Sequence, residues 1–147
     1  MKCSGTSESG AATLGRRTAL ATVASGLLGS VTGCLTEPSF PDADVLAGPD
    51  GRLAFEPAAM TVAPGETVRW GFPTAGHNVS GRPADADPVT VPADAAPFAS
   101  YGPEQTPQRH LVPRGGTYEH TFDVPGEYVY ACIPHVDRGM VGVVRVE

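Results

Sequence analysis

Apolar and polar residues alternate along most of this chain, and turns that contain a Pro-Gly pair interrupt the alternation. Val68, Trp70 and Phe72, for example, share one parity. A period of two residues places such side chains on one face of a β-strand. Segments 63–66 and 124–127 supply turns, because proline fixes the first turn dihedral and glycine accepts a positive φ at the next. No 3.6-residue apolar period follows residue 34, so the pattern predicts an all-β fold.

Several short strands with regular turns between them indicate a sandwich of two sheets. Besides the strand that contains Trp70, the alternation predicts strands at 117–122, 128–132 and 141–146, with shorter candidates at 60–62 and 77–79. Residues 81–109 are rich in Ala, Asp and Pro. We expect them to form a long excursion over the surface, with one edge strand or a helical turn.

Residues 1–33 have the features of an export signal. Arg16 and Arg17 precede an apolar stretch at 18–31, which is shorter than the about 20 residues that a membrane-spanning helix needs. The arginine pair favours the twin-arginine route, which exports folded proteins. Cys3 lies in the part that would be removed.

The signal ends in Val-Thr-Gly-Cys at 31–34, which resembles a lipobox. Cleavage before Cys34 would leave its thiol to carry a lipid that anchors the protein to the outer face of the cell membrane. Cleavage by an ordinary signal peptidase, with Cys34 incidental, is the alternative. Residues 34–50 are then predicted to be a flexible tether, and residues 51–147 the folded domain.

The chain beyond residue 33 is acidic, with seven arginines, no lysine and fifteen carboxylates. This balance argues against nucleic acid or anionic lipid headgroups as partners, and it suits a salty medium or a basic protein partner. The three cysteines of the whole chain lie too far apart to predict a disulfide framework.

Residues with metal-binding side chains concentrate near the C-terminus. Cys132, His135 and Met140 lie within nine residues, at the end of a predicted strand and in the loop after it, and His77 begins another strand candidate. The set lacks a CxxC pair and the fourth strong ligand of a structural zinc site. One thiolate, two imidazoles and a thioether are the ligands of electron-transfer copper sites. The sequence therefore predicts one mononuclear copper site.

The C-terminal run resembles plastocyanin and pseudoazurin, with Gly-Glu-Tyr at 126–128, Cys-x-Pro-His at 132–135 and Gly-Met-Val-Gly at 139–142. The acidic, lipobox-bearing form is most similar to the haloarchaeal halocyanins. This resemblance implies an all-β, cupredoxin-like Greek-key β-sandwich of about eight strands. It also implies a blue copper ion that alternates between Cu(I) and Cu(II).

The resemblance implies a role for each site residue. His77, Cys132 and His135 would be the strong copper ligands, and Met140 the weak axial one. Asn78 would hydrogen-bond to the loop after the cysteine, and Pro134 would stiffen that loop.

The chain departs from the family at two positions. Ile133 replaces a small hydroxyl residue, so the partner of Asn78 must be backbone. Ala131 replaces a tyrosine that the family uses for a second electron route, and Tyr130 has the opposite parity. We therefore expect electrons to pass through the exposed edge of His135.

The resulting hypothesis is a monomeric one-electron carrier that exchanges electrons with redox proteins of a membrane electron-transfer chain. A copper-delivery protein is the alternative, and a metal-free adhesive sandwich would leave the ligand spacing unexplained. An enzyme is disfavoured because copper oxidases need further histidines. His110 is predicted to be a loop residue, and His120 a hydrogen-bonded, semi-buried strand residue, neither of them a metal ligand.

Overall fold

A computed structural model describes residues 37–147, which form nine strands in two sheets. The strands are β1 (Val45–Ala47), β2 (Phe55–Glu56), β3 (Ala59–Val62), β4 (Glu66–Gly71), β5 (Ser80–Gly81), β6 (Phe98–Ala99), β7 (Thr117–Phe122), β8 (Gly126–Ala131) and β9 (Val141–Val146). One sheet has the order β2-β1-β4-β7, and the other β3-β9-β8-β5-β6. Both sheets are mixed, because β1 runs parallel to β4 and β3 parallel to β9. The predicted all-β fold of about eight strands is confirmed.

Helical structure is scarce in this part of the chain. Two 3₁₀ helices occur, at Pro49–Gly51 and at Ile133–Arg138. No helix within residues 37–147 is long and apolar enough to cross a membrane. The predicted export signal, the lipobox and Cys34 lie outside the described residues.

The core between the sheets is built around Trp70 of β4, which is fully buried. The indole meets Tyr130 of β8 edge to face, with ring centroids 5.3 Å apart, and it packs against Tyr118 and Phe122 of β7. These residues have the parities that the alternation predicted. Truncating an aromatic side chain in such a core costs about 3–5 kcal/mol of stability, so this cluster is a main source of the stability of the domain.

The first strand corrects the predicted tether. Val45 and Ala47 are buried, and β1 pairs in parallel with β4 and antiparallel with β2. The prediction of a flexible segment to residue 50, with the domain starting at residue 51, is therefore wrong for residues 45–47. These residues contribute apolar surface and backbone hydrogen bonds to the sheet.

The strand predicted at 77–79 is also wrong. His77 makes a single isolated bridge with Val112, and regular pairing begins only at β5. The backbone of Val79 bonds to Ser100 instead: its N–H donates to the Ser100 hydroxyl (3.0 Å), and its carbonyl accepts from the Ser100 N–H (2.9 Å).

The excursion at 81–109 contains the edge strand that the sequence predicted, which is β6. It is more than a surface loop, however, because Val89, Phe98 and Tyr101 are buried. Thr90 also bridges to Val129 of β8. The segment therefore closes one side of the sandwich.

His120 of β7 is half-buried, as predicted, but within residues 37–147 its contacts are with aromatic rings and the predicted hydrogen bond is not among them. It stacks on Phe98 at a centroid distance of 4.3 Å and an interplanar angle of 13°, and Phe122 meets its edge. Burial lowers the pKa of His120, while the charge of Asp123 acts in the opposite direction. The imidazole is thus held neutral as part of the aromatic core.

Replacing His120 by phenylalanine should make the copper-free protein less sensitive to acid. The folded-state pKa of His120 lies below its ordinary value of 6.5, so the unfolded chain takes up the proton first as the pH falls. The stability that comes from the neutral ring is complete above about pH 6.5 and declines below it. Urea unfolding between about pH 7.5 and pH 5 should show a shallower decline for His120→Phe than for the wild type.

Thr121→Val, at the exposed neighbouring position, is the control and should keep the wild-type slope. Burial also lowers the pKa of His77, so part of the decline persists in every variant. Equal slopes for His120→Phe and the wild type would contradict the prediction.

Candidate metal centre

Three side chains that can bind a metal converge at one end of the sandwich. The ligand atoms of His77, Cys132 and His135 all lie within 4.8 Å of one another. The sulfur of Cys132 is 3.8 Å from Nδ1 of His77 and 3.4 Å from Nδ1 of His135. The structure therefore brings together three of the four predicted ligands through side-chain atoms.

The loop after β8 folds back because of its own sequence. Pro134 stands in the first turn of the 3₁₀ helix, where its missing N–H costs no hydrogen bond. Gly139 ends that helix with φ 82°, a value that favours glycine. The N–H of Cys132 then donates to the carbonyl of Met140 (3.0 Å), whose own N–H donates to the carbonyl of His135 (3.3 Å). Met140 is thus held next to the cysteine and is fully buried.

Asn78 is fully buried and ties this loop to two others. Its Oδ1 accepts a hydrogen bond from the N–H of Ile133 (2.9 Å), so the backbone partner predicted for Asn78 is present. Its Nδ2 donates to the carbonyls of Pro107 (2.7 Å) and His110 (3.3 Å). The sequence did not reveal these last two bonds, because nothing local marks a contact across about 30 residues.

Burial governs the protonation of the donor groups. It raises the pKa of the Cys132 thiol to about 11, against the opposing effect of the backbone N–H groups of Asn78 and His135. Burial also lowers the pKa of His77, and the nearby His135 adds to that effect. The metal-free site thus holds a neutral imidazole and a thiol, and a cation that binds there as a thiolate complex must displace the thiol proton.

The second nitrogen of His77 faces a hydroxyl group. Nε2 lies 3.2 Å from Oγ1 of Thr74, and that oxygen donates in turn to the carbonyl of Gly48 (2.6 Å). Neither Thr74 nor Gly48 was singled out from the sequence. The Pro-Thr-Ala-Gly run before His77 looks like an ordinary turn.

The donor set fits copper. Two imidazole nitrogens and one buried sulfur are soft to intermediate ligands, and the thioether of Met140, directly before β9, favours copper over a hard cation. Within residues 37–147, the group of His, Cys, Asp and Glu side chains that is close enough to hold a metal ion consists of His77, Cys132 and His135. The other two histidines lie elsewhere, His110 with Nδ1 against the carbonyl of Thr106 and His120 in the aromatic core.

Comparison with known sequences supports a copper protein. Residues 43–147 match the family described as copper binding proteins, plastocyanin/azurin family. A chloroplast plastocyanin from Tetradesmus obliquus is 41% identical over 110 residues, which cover 71% of this chain and 67% of that protein. A plastocyanin from Scenedesmus fuscus is 36% identical over 72% of this chain and 100% of its own length. A putative pseudoazurin from Rhizobium leguminosarum bv. viciae is 34% identical, and the match covers 67% of this chain and about half (54%) of that protein.

Comparison with solved structures supports the fold. Oxidised plastocyanin from the fern Dryopteris crassirhizoma aligns with a TM-score of 0.52 at 23% identity, over 70% of this chain and 98% of that chain. A pseudoazurin from Sinorhizobium aligns with a TM-score of 0.51 at 29% identity, over 70% of this chain and 71% of that chain. The two-sheet arrangement described above is therefore the fold of small copper proteins.

Removing the Asn78 amide should loosen the site before any metal is added. Asn78→Ala leaves the Ile133 N–H and the Pro107 carbonyl without their partner, and each buried unsatisfied group costs about 1–3 kcal/mol. We expect the free energy of unfolding of the copper-free protein to fall by about 2 kcal/mol or more in urea titrations.

Gln108→Ala is the matched control, since this amide is exposed in the neighbouring loop. It should leave the urea midpoint within experimental error of the wild type. A midpoint for Asn78→Ala that equals that of Gln108→Ala would show that the amide does not hold the loops together.

Proposed function

This chain belongs to the plastocyanin/azurin family of copper-binding proteins and is a cupredoxin electron carrier. From that premise we propose that four side chains hold its one copper ion: His77, Cys132, His135 and Met140. The observation that carries the proposal is the convergence of the three strong donors within 4.8 Å of one another. The side chains need no large movement to surround an ion. When bound, copper supplies the chemistry, which is the gain and loss of one electron.

The protein's contribution is to keep the donors still. Cu(I) and Cu(II) prefer different geometries, so a site that relaxes between them transfers electrons slowly. Cys132 is fixed between the end of β8 and the carbonyl of Met140, and Asn78 fixes the backbone of the intervening loop. Pro134 restricts the same loop further. These constraints favour one compromise geometry for both oxidation states.

Electrons are proposed to enter and leave through His135. Its side chain is partly exposed, whereas Cys132 is fully buried and His77 is 3% exposed. Ala131 occupies the position where relatives can carry a tyrosine, and Tyr130 is buried against Phe55 and Trp70. Of the four proposed ligands, His135 is therefore the one whose edge can contact a partner directly.

The location and the partners of the protein are proposed from the sequence outside the site. A lipid on Cys34 would hold the protein at the outer face of the cell membrane as a monomer of the halocyanin type. Its acidic surface then suits redox proteins of a membrane electron-transfer chain that present basic docking faces. The paired arginines and the lipobox support this location.

Cupric ion added to the purified protein should produce an intense blue thiolate-to-copper charge-transfer band. Ascorbate should bleach the band and an oxidant should restore it, since a carrier must cycle. Cys132→Ala should lose the colour while keeping the fold, which circular dichroism can check. Cys34→Ala, the matched control, should remain blue.

A wild-type protein that folds and stays colourless would overturn the proposal of a blue copper site. A protein that colours but gives its copper to a weak chelator at once would support delivery instead. The buried ligands described above predict slow release.

The proposed anchor has its own test. Cys34→Ala should shift the protein from the membrane fraction to the soluble extracellular fraction of cells, because no lipid can be attached. A variant that stays in the membrane fraction after its signal has been removed, which its mass would show, would exclude Cys34 as the anchor.

A further inference from the structure

The imidazole of His77 contacts the hydroxyl group of Thr74 through Nε2, the ring nitrogen that faces away from Cys132. Nδ1 faces the sulfur of Cys132, and Nε2 lies 3.2 Å from the hydroxyl oxygen of Thr74. His77 itself is only 3% exposed. Water therefore has little access to the ring, and the Thr74 hydroxyl is the polar group that meets Nε2.

The direction of this hydrogen bond follows from the proton count. A threonine hydroxyl has one proton to donate, and that of Thr74 points to the carbonyl of Gly48 at 2.6 Å. The hydroxyl oxygen can then only accept from His77, so Nε2 must carry the imidazole proton. A neutral imidazole has one N–H, which leaves Nδ1 with a free lone pair directed at the metal position.

Close packing makes this arrangement specific to the residues present. A Cβ atom on Gly48 would lie 2.3 Å from Nε2 of His77 and 2.5 Å from Oγ1 of Thr74, and the φ of 75° disfavours side chains as well. Gly48 is in turn fixed by its N–H, which donates to the carbonyl of Ala54 (2.9 Å). Gly48 and Thr74 together form what we call the His77 clamp.

We propose that Thr74 is a positioning residue of the metal site: by accepting the Nε2 proton of His77 it selects the tautomer whose Nδ1 can bind the ion. The proposal rests on the assignment of His77 as a copper ligand. Gly48, in the segment after β1, then contributes to the metal site through Thr74. The proposed ligands all lie more than 25 residues further along the chain. His135 has no comparable partner for its Nε2 within residues 37–147.

The tautomer can be measured without metal. Nitrogen-15 NMR of the histidine rings in the copper-free full chain should show His77 with its proton on Nε2. Thr74→Val replaces the hydroxyl by a methyl group of similar size, and a mixture of the two tautomers should appear. Thr74→Ser retains the hydroxyl and should restore the single Nε2–H form.

Metal affinity gives the second measurement. Partners of metal-bound histidines are worth about 10–100-fold in affinity, so Thr74→Val should bind Cu(II) at least about tenfold more weakly, with Thr74→Ser close to the wild type. The Gly48 carbonyl keeps a donor in the valine variant, the N–H of Gly51 at 3.2 Å. Thr121→Val makes the same chemical change far from the site and should leave copper affinity unaltered.

Two results would overturn the role of Thr74. One is an Nδ1–H tautomer of His77 in the wild type. The other is a Thr74→Val protein whose tautomer and copper affinity, the latter within about twofold, match those of Thr121→Val. A wild type that shows the Nε2–H tautomer but never colours with copper would instead remove the proposed function while leaving the hydrogen bond established.

Discussion

The hydrogen bonds of the buried Asn78 amide are the constraint on which the metal-binding end of this molecule depends. One side chain joins the loop after β8 to the loop at 107–110, through three backbone groups. The site sits where three loops meet, and loops on their own move more than strands. A buried amide is costly to leave without hydrogen-bond partners. Because Asn78 links the loops through such an amide, it restricts their movement relative to the sheets.

Stiffness and burial act together on the donor atoms. Burial raises the pKa of the Cys132 thiol to about 11, so without a metal ion the sulfur keeps its proton and brings no negative charge into the core. The thiolate that Cys132 would form on losing its proton would have its negative charge offset by a bound soft cation in this low-dielectric region. The three donor atoms are thus already close together before a metal ion binds.

The sequence predicted the parts of this structure whose signals are local. The parity of Trp70 and Tyr130 placed both in the core, and the spacing from Cys132 to Met140 identified the site. The strand β1 was missed because three apolar residues amid prolines and aspartates carry no periodicity, and parallel pairing with a distant strand decides their state. The His77 clamp was missed for a similar reason, since its two contributing residues stand 26 positions apart and meet only in the folded chain.

The position of β9 sets the order in which this domain can be completed. It lies between β3 and β8, parallel to the former and antiparallel to the latter, so it occupies the interior of its sheet. Until residues 141–146 have left the ribosome, β3 lacks the one strand that pairs with it within residues 37–147, and one edge of β8 stays unpaired. Such long-range pairing forms late and slowly. The sandwich is therefore completed only when β9 takes its place between β3 and β8.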